Sequence, residues 1–101
     1  MDLNIVNVSS ELKDLLPNFL KNRAIEINSL KEATITSNFE TIKFLSHSLK
    51  GTAGGYGFDY MSLLAKKIEL ATMNKSLEEI EALIFELEYH FNNMKIIYVE
   101  E

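Results

Sequence analysis

Lys43-Phe44-Leu45-Ser46-His47-Ser48-Leu49-Lys50-Gly51-Thr52-Ala53-Gly54-Gly55-Tyr56-Gly57 is the stretch whose reading decides the fold. It opens as an amphipathic helix. At about 100° per residue with Ile42 at zero, Leu45, Leu49, Ala53 and Tyr56 fall within about 60° and mark a core face. His47 falls at about 140°, turned away from that face, with Gly54 at about 120° and Gly51 at about 180° on its own side. Lys50 and Lys43 lie at about 80° and 100°, and Phe44 at about 200°. One imidazole thus stands on the solvent face, lysines flank it on one side, and the next two turns beside it carry no side chains. Glycine inside a helix costs about 1 kcal/mol relative to alanine, so its repetition needs a reason. A bare helix surface lets another macromolecule approach the imidazole closely. The competing reading is that the glycines mark a loop that ends the helix early.

Outward from this stretch the chain reads as helix. Its four glycines all fall between Gly51 and Gly57, and Pro17 is its one proline. A first helical pattern runs from about Ser10 to Ala33, with Leu12, Leu15, Leu16, Phe19, Leu20, Ile27 and Leu30 at helical spacing. Pro17 interrupts it and predicts a kink, or a short lead helix followed by a long one. Ser37 and Glu40 form a capping-box pattern at the head of the second helix, as do Ser76 and Glu79 at the head of the fourth. The third runs from Asp59, an expected N-cap, to Met73, with Asn74 closing it. Its stripe is Met61, Leu64, Ala65, Ile68 and Ala71. The fourth stripe is Leu77, Ile80, Leu83, Ile84, Leu87, Phe91, Met94 and Tyr98, with Glu78, Glu79, Glu81, Glu86 and Glu88 on a solvated face. Only the short Leu3–Val8 stretch hints at alternation, as a lead-in turn or arm. Four amphipathic helices joined by short loops predict an all-α, antiparallel four-helix bundle, with a short N-terminal lead segment and a kink near Pro17.

The length of 101 residues fits one domain spanning 1–101, and a 47% hydrophobic fraction with 25% charged residues suits a packed core. The net charge of −5 repels phosphate backbones, so nucleic acid is not an expected partner. There is no cysteine, which excludes disulfides, thiolate catalysis and Cys-based zinc sites. No apolar run approaches the ~20 residues that cross a bilayer, and the N-terminus lacks the order of a signal peptide. A cytoplasmic, membrane-free chain is expected, and the initiating Met points to a free-standing one.

Among candidate chemistries, histidine alone stands out. Its ordinary pKa of about 6.5 leaves much of it neutral and nucleophilic at cellular pH. Lysines in reach offset charge on a phosphoryl group, and transfer between two proteins needs an unobstructed line of approach. Read blandly, Lys43 and Lys50 are solvated charges, and Phe44 packs at a bundle edge. His90 beside Leu87, at the edge of a core stripe, reads as structural. With only His47 and His90, metal binding is not expected. The glycine run matches neither GxxxxGK[ST] nor GxGxxG.

His47-Ser48-Leu49-Lys50-Gly51, followed by Gly57 ten positions after the histidine, resembles the H-x-L-K-G-x(5)-G signature of histidine-containing phosphotransfer (HPt) domains. The order of helices resembles that family along nearly the whole chain. The resemblance implies a phosphorelay intermediate and no autonomous enzyme: His47 is the phosphoacceptor, bonded through Nε2, and Lys50 steadies the phosphoryl group or the partner. Gly51 and Gly54 give access, Gly57 shapes the helix end, and Lys43 and Phe44 serve docking. It also implies receiver domains of response regulators and an upstream hybrid histidine kinase as partners, no cofactor beyond Mg2+ held by the receiver, and a monomer. Kinase dimerisation domains carry an acid directly after the histidine and a proline some five positions on. Here Ser48 and Thr52 stand there, so self-phosphorylation from ATP is not expected. The remaining alternative is a bundle that docks receivers without carrying phosphate.

Overall fold

The computed structural model describes residues 2–100. In chain order it comprises strand β1 (Ile5–Ser9), a 3-10 helix (Ser10–Leu15), helices α1 (Leu16–Ile35), α2 (Phe39–Gly55), α3 (Asp59–Met73) and α4 (Leu77–Asn93), and strand β2 (Lys95–Val99). The helices meet in a ring: α1 against α2, α2 against α3, α3 against α4, and α4 back against α1. The predicted stripes line its interior except at their ends, where Leu15 and Tyr98 are exposed. Ile27, Leu30, Ile42, Leu49, Met61, Leu64, Ile68, Ile80 and Leu87 are all buried, each contributing about 1.5–3 kcal/mol against exposure.

Of the two expectations at Pro17, a short lead helix followed by a long one is what forms. The 3-10 helix stops at Leu15, and Pro17 lies in the first turn of α1. There its missing N–H costs no intrahelical bond and its fixed φ suits the helix.

The two strands depart most from the expected architecture. The Leu3–Val8 arm holds most of β1, with Val6 and Val8 buried and Ile5 and Asn7 exposed. The fourth apolar stripe was expected to run on through Met94 and Tyr98. Instead α4 ends at Asn93, Met94 turns extended, and Lys95–Val99 pairs in parallel with β1, Ile5 opposite Lys95 and Ser9 opposite Val99. After Lys95, the run Ile96-Ile97-Tyr98-Val99 is β-branched and aromatic, and favours a pleated surface once a partner strand is present.

All three interhelical loops share one design: a C-cap residue, a left-handed residue, then the N-cap. They are Thr36-Ser37-Asn38, Tyr56-Gly57-Phe58 and Asn74-Lys75-Ser76. The central φ values are 51° at Ser37, 88° at Gly57 and 51° at Lys75. Two expected caps therefore shift by one position. Asn38, not Ser37, caps α2 by accepting from the Thr41 amide at 3.1 Å, because Ser37 is committed to the left-handed turn. Asp59 is the first residue of α3, and Phe58 holds the N-cap position. Ser76 caps α4 as expected, accepting from the Glu79 amide. Left-handed geometry disfavours side chains with a Cβ. Ser37→Gly and Lys75→Gly are accordingly expected to raise stability by about 0.5–1 kcal/mol each, net of glycine's greater unfolded entropy, as read by chemical denaturation.

His90 is structural, as its position implied. It is 2% exposed, and its Nδ1 donates to Asn4 Oδ1 at 2.9 Å. The Asn4 carbonyl accepts in turn from the Lys95 amide, so this contact ties the segment before β1 to the start of β2. The Tyr60 ring stands edge-on at 4.9 Å, and Nε2 is buried without a partner. Burial pushes the imidazole below its usual value of 6.5. The unfolded chain therefore takes up a proton that the folded chain resists. Stability is full above that usual value and falls as pH drops below it towards the lowered folded value. Denaturation curves at neutral and mildly acid pH are expected to differ for the wild type, and His90→Leu to remove part of that difference.

Candidate functional site

The α2–α3 seam is the most extensive helix contact among the described residues, and small residues lie along it. Ser46 is fully buried, its hydroxyl turned back to the Ile42 carbonyl at 2.7 Å. Ser62 on α3 donates to the Lys50 carbonyl at 2.8 Å. A Cβ on Gly54 would stand 3.2 Å from Ser62 Oγ.

This seam sets an α3 carboxylate beside the α2 histidine. The His47 side chain is 67% exposed, and its Nδ1 lies 2.8 Å from Glu69 Oε2. The other carboxylate oxygen, Oε1, accepts from Lys50 Nζ at 3.0 Å. Glu69 is the more sheltered member, its side chain 18% exposed. Burial pushes its carboxyl up, but the hydrogen bonds from Lys50 and His47, together with their charge, outweigh this and hold it below the usual 4.5. It is ionised at neutral pH and so only accepts hydrogen bonds. The neutral imidazole must then carry its proton on Nδ1, which leaves the Nε2 lone pair free. Orientation by one carboxylate thus fixes both the ring and its tautomer.

The residues singled out in the sequence fall around this pair. Lys43, Phe44, His47 and Glu69, with Glu40, line one hollow. Lys43 also borders an adjoining hollow with Phe39, Thr72 and Met73. Phe44, in the imidazole's own hollow, is 72% exposed, and Met73, in the adjoining hollow, is 73% exposed. α2 runs unbroken to Gly55, so Gly51 and Gly54 are helical. Gly51 faces open space, with nothing within 4 Å of an added Cβ. Gly54 meets Ser62, so it serves the helix contact as well as the surface. Gly57 lies in the loop after α2, in the left-handed conformation that shapes the helix end.

Glu69 and Met73 are the site residues that sequence reasoning missed. Glu69 carries a faint signal: it is the one acid of α3 beyond Asp59 in the first turn, and it sits next to the core residue Ile68. Its relation to His47 spans 22 positions and depends on how two helices meet. Among the described residues no group of three or more His, Asp or Glu is placed to hold a metal ion. No described helix is long and apolar enough to cross a membrane.

Comparison with protein-family models matches residues 14–95 to the family described as Hpt domain. No curated protein and no solved structure matches the chain.

Proposed function

The chain belongs to the Hpt domain family, whose members serve phosphorelay, two-component signalling, and on that premise we propose that it is a phosphocarrier with His47 as the acceptor. The free Nε2 lone pair attacks the phosphorus of a receiver's aspartyl phosphate. The Nε2–P bond forms as the P–O bond to the aspartate breaks, and the aspartate leaves as a carboxylate with the bonding electrons. The Nδ1 proton stays in place, hydrogen-bonded to Glu69. In the second half-reaction an aspartate of another receiver attacks the same phosphorus, and Nε2 is the leaving group. The observation that carries this reading is the Nδ1–Glu69 contact of 2.8 Å on a histidine otherwise open to solvent.

Lys50 offsets charge on the phosphoryl oxygens while tethered to Glu69. Lys43, Phe44 and Met73 form the surface on which a receiver settles. The phosphoryl-transfer metal is the receiver's Mg2+, and this chain supplies no cofactor. An upstream hybrid histidine kinase feeds the first receiver. The carrier works as a cytoplasmic monomer, an antiparallel bundle without kinase or hydrolase activity of its own.

Incubation with a phosphorylated receiver tests the proposal. Label that is acid-labile and alkali-stable is the expected result. Acid-stable label, or none, overturns it, and binding without label would instead mark a docking module.

Access to the imidazole is separately testable. Gly51→Gln introduces a side chain on open helix surface, so stability is expected to hold or to rise by up to about 1 kcal/mol. Phosphoryl transfer is expected to slow at least tenfold, because the added side chain stands in the receiver's approach. Rapid-quench transfer assays beside denaturation curves separate the two effects.

A further inference from the structure

In the ring of helices, the seam opposite α2–α3 is the one between α4 and α1. It carries an apolar site that the phosphocarrier reading does not use. Ile35 is 82% exposed and Phe85 72%, and they flank a groove of about 310 Å³. Ile84, 4% exposed, lines it from the core side, and Lys31, Glu81 and Glu88 border it. On α4 the positions Glu78, Glu81, Phe85 and Glu88 recur at helical spacing, so this phenylalanine stands in a stripe of carboxylates. Lys31 offsets Glu88 at 3.0 Å, while Glu81 has no ion-pair partner among the described residues.

A single exposed apolar residue needs no explanation, but two of the most exposed ones at the mouth of one groove do. The rim selects what can cover them. An acidic protein or an anionic lipid surface brings like charge onto Glu78, Glu81 and Glu88. A cationic partner pairs Glu81 and competes with Lys31 for Glu88. The valley between two helices accommodates a third helix that lays an apolar edge along it. We propose that the α1–α4 groove receives a basic amphipathic helix of a partner protein. A large apolar side chain seats over Ile84 between Ile35 and Phe85, and lysines or arginines face Glu81 and Glu88. The occupant leaves the α2–α3 seam uncovered. A protein bound there holds the chain while His47 exchanges with receivers, which raises the effective concentration of the carrier. That use rests on the phosphocarrier reading; the docking does not.

The test titrates the full chain with a synthetic amphipathic helix of leucine and lysine, followed by amide NMR shifts. The shifts are expected to cluster around Ile35, Ile84 and Phe85, and the same helix with glutamate for lysine is expected not to bind. Phe85→Ser and Glu81→Lys, both surface changes, are each expected to weaken binding about tenfold, and Phe44→Ser to leave it unchanged. Shifts spread over the acidic surface or centred on His47 overturn the proposal, as does undiminished binding by Phe85→Ser. Self-association of the chain that Phe85→Ser abolishes also overturns it, by making a second copy the occupant. His47→Gln is expected to bind the peptide normally. Failure of docking and failure of phosphate transfer are thereby told apart.

Discussion

His47→Gln is expected to stay folded and to accept no phosphoryl group from a phosphorylated receiver. The fold should tolerate the change because the His47 side chain is 67% exposed and touches no buried apolar residue through its ring nitrogens. Surface substitutions of this kind alter stability by about 0.5 kcal/mol or less. Transfer should fall to background because no other side chain replaces the nucleophile. His90 is 2% exposed, with Nδ1 engaged by Asn4 and Nε2 buried. Ser48 and Thr52 lie on the same helix, but their hydroxyls lack a base, and Thr52 donates to the Ser48 carbonyl. The measurement is acid-labile label after incubation with the phosphorylated receiver, with circular dichroism to confirm helix content. Equal labelling of the variant and the wild type would sink the assignment of His47.

Glu69→Ala is expected to slow transfer to His47 by about 10–100-fold, by analogy with carboxylates that orient metal-binding histidines. The substitution removes the acceptor of the Nδ1 proton. The ring is then free to rotate, and the proton is free to occupy Nε2, where it blocks the lone pair. It also releases Lys50 from its 3.0 Å contact. Glu69→Gln separates orientation from charge. The amide oxygen still accepts from Nδ1, so most of the lost rate is expected to return. A Gln variant as slow as the Ala variant would assign the effect to the carboxylate charge. The receiver's apparent affinity should change little in either, since a positioning residue acts on the transfer step and not on docking.

The sequence pattern sufficed for the buried centres of the four stripes, the Ser76 cap and the outward direction of His47, because each depends on residues within one or two helical turns; it failed at the stripe ends, where Leu15 is exposed and Tyr98 lies in a strand. Contacts between distant segments were beyond it. Met94 and Tyr98 fit the helical period of α4 as well as they fit a strand, and β1, some 90 positions earlier in the pairing, decides the matter. Ser37 and Asn38 are both good capping residues. The choice falls to Asn38 because the common loop geometry requires a left-handed residue just before the cap. Gly54 looks like Gly51 on a helical wheel, and only the position of Ser62 on α3 distinguishes them. Glu69 belongs to the same class: a lone acid whose meaning comes from the helix opposite.

The β1–β2 pair gives the molecule a mechanical property that its helices lack. Helical bundles yield to tension by peeling, one turn after another. Here β1 and β2 run parallel, Ile5 beside Lys95 and Ser9 beside Val99. Tension entering ahead of β1 and leaving beyond β2 pulls the strands past each other lengthwise. The ladder's hydrogen bonds are then loaded together in shear and must fail together before any helix feels the force. A chain whose bulk is soft is thereby closed by a clasp that resists stretching, on strands that contribute nothing to the reacting histidine.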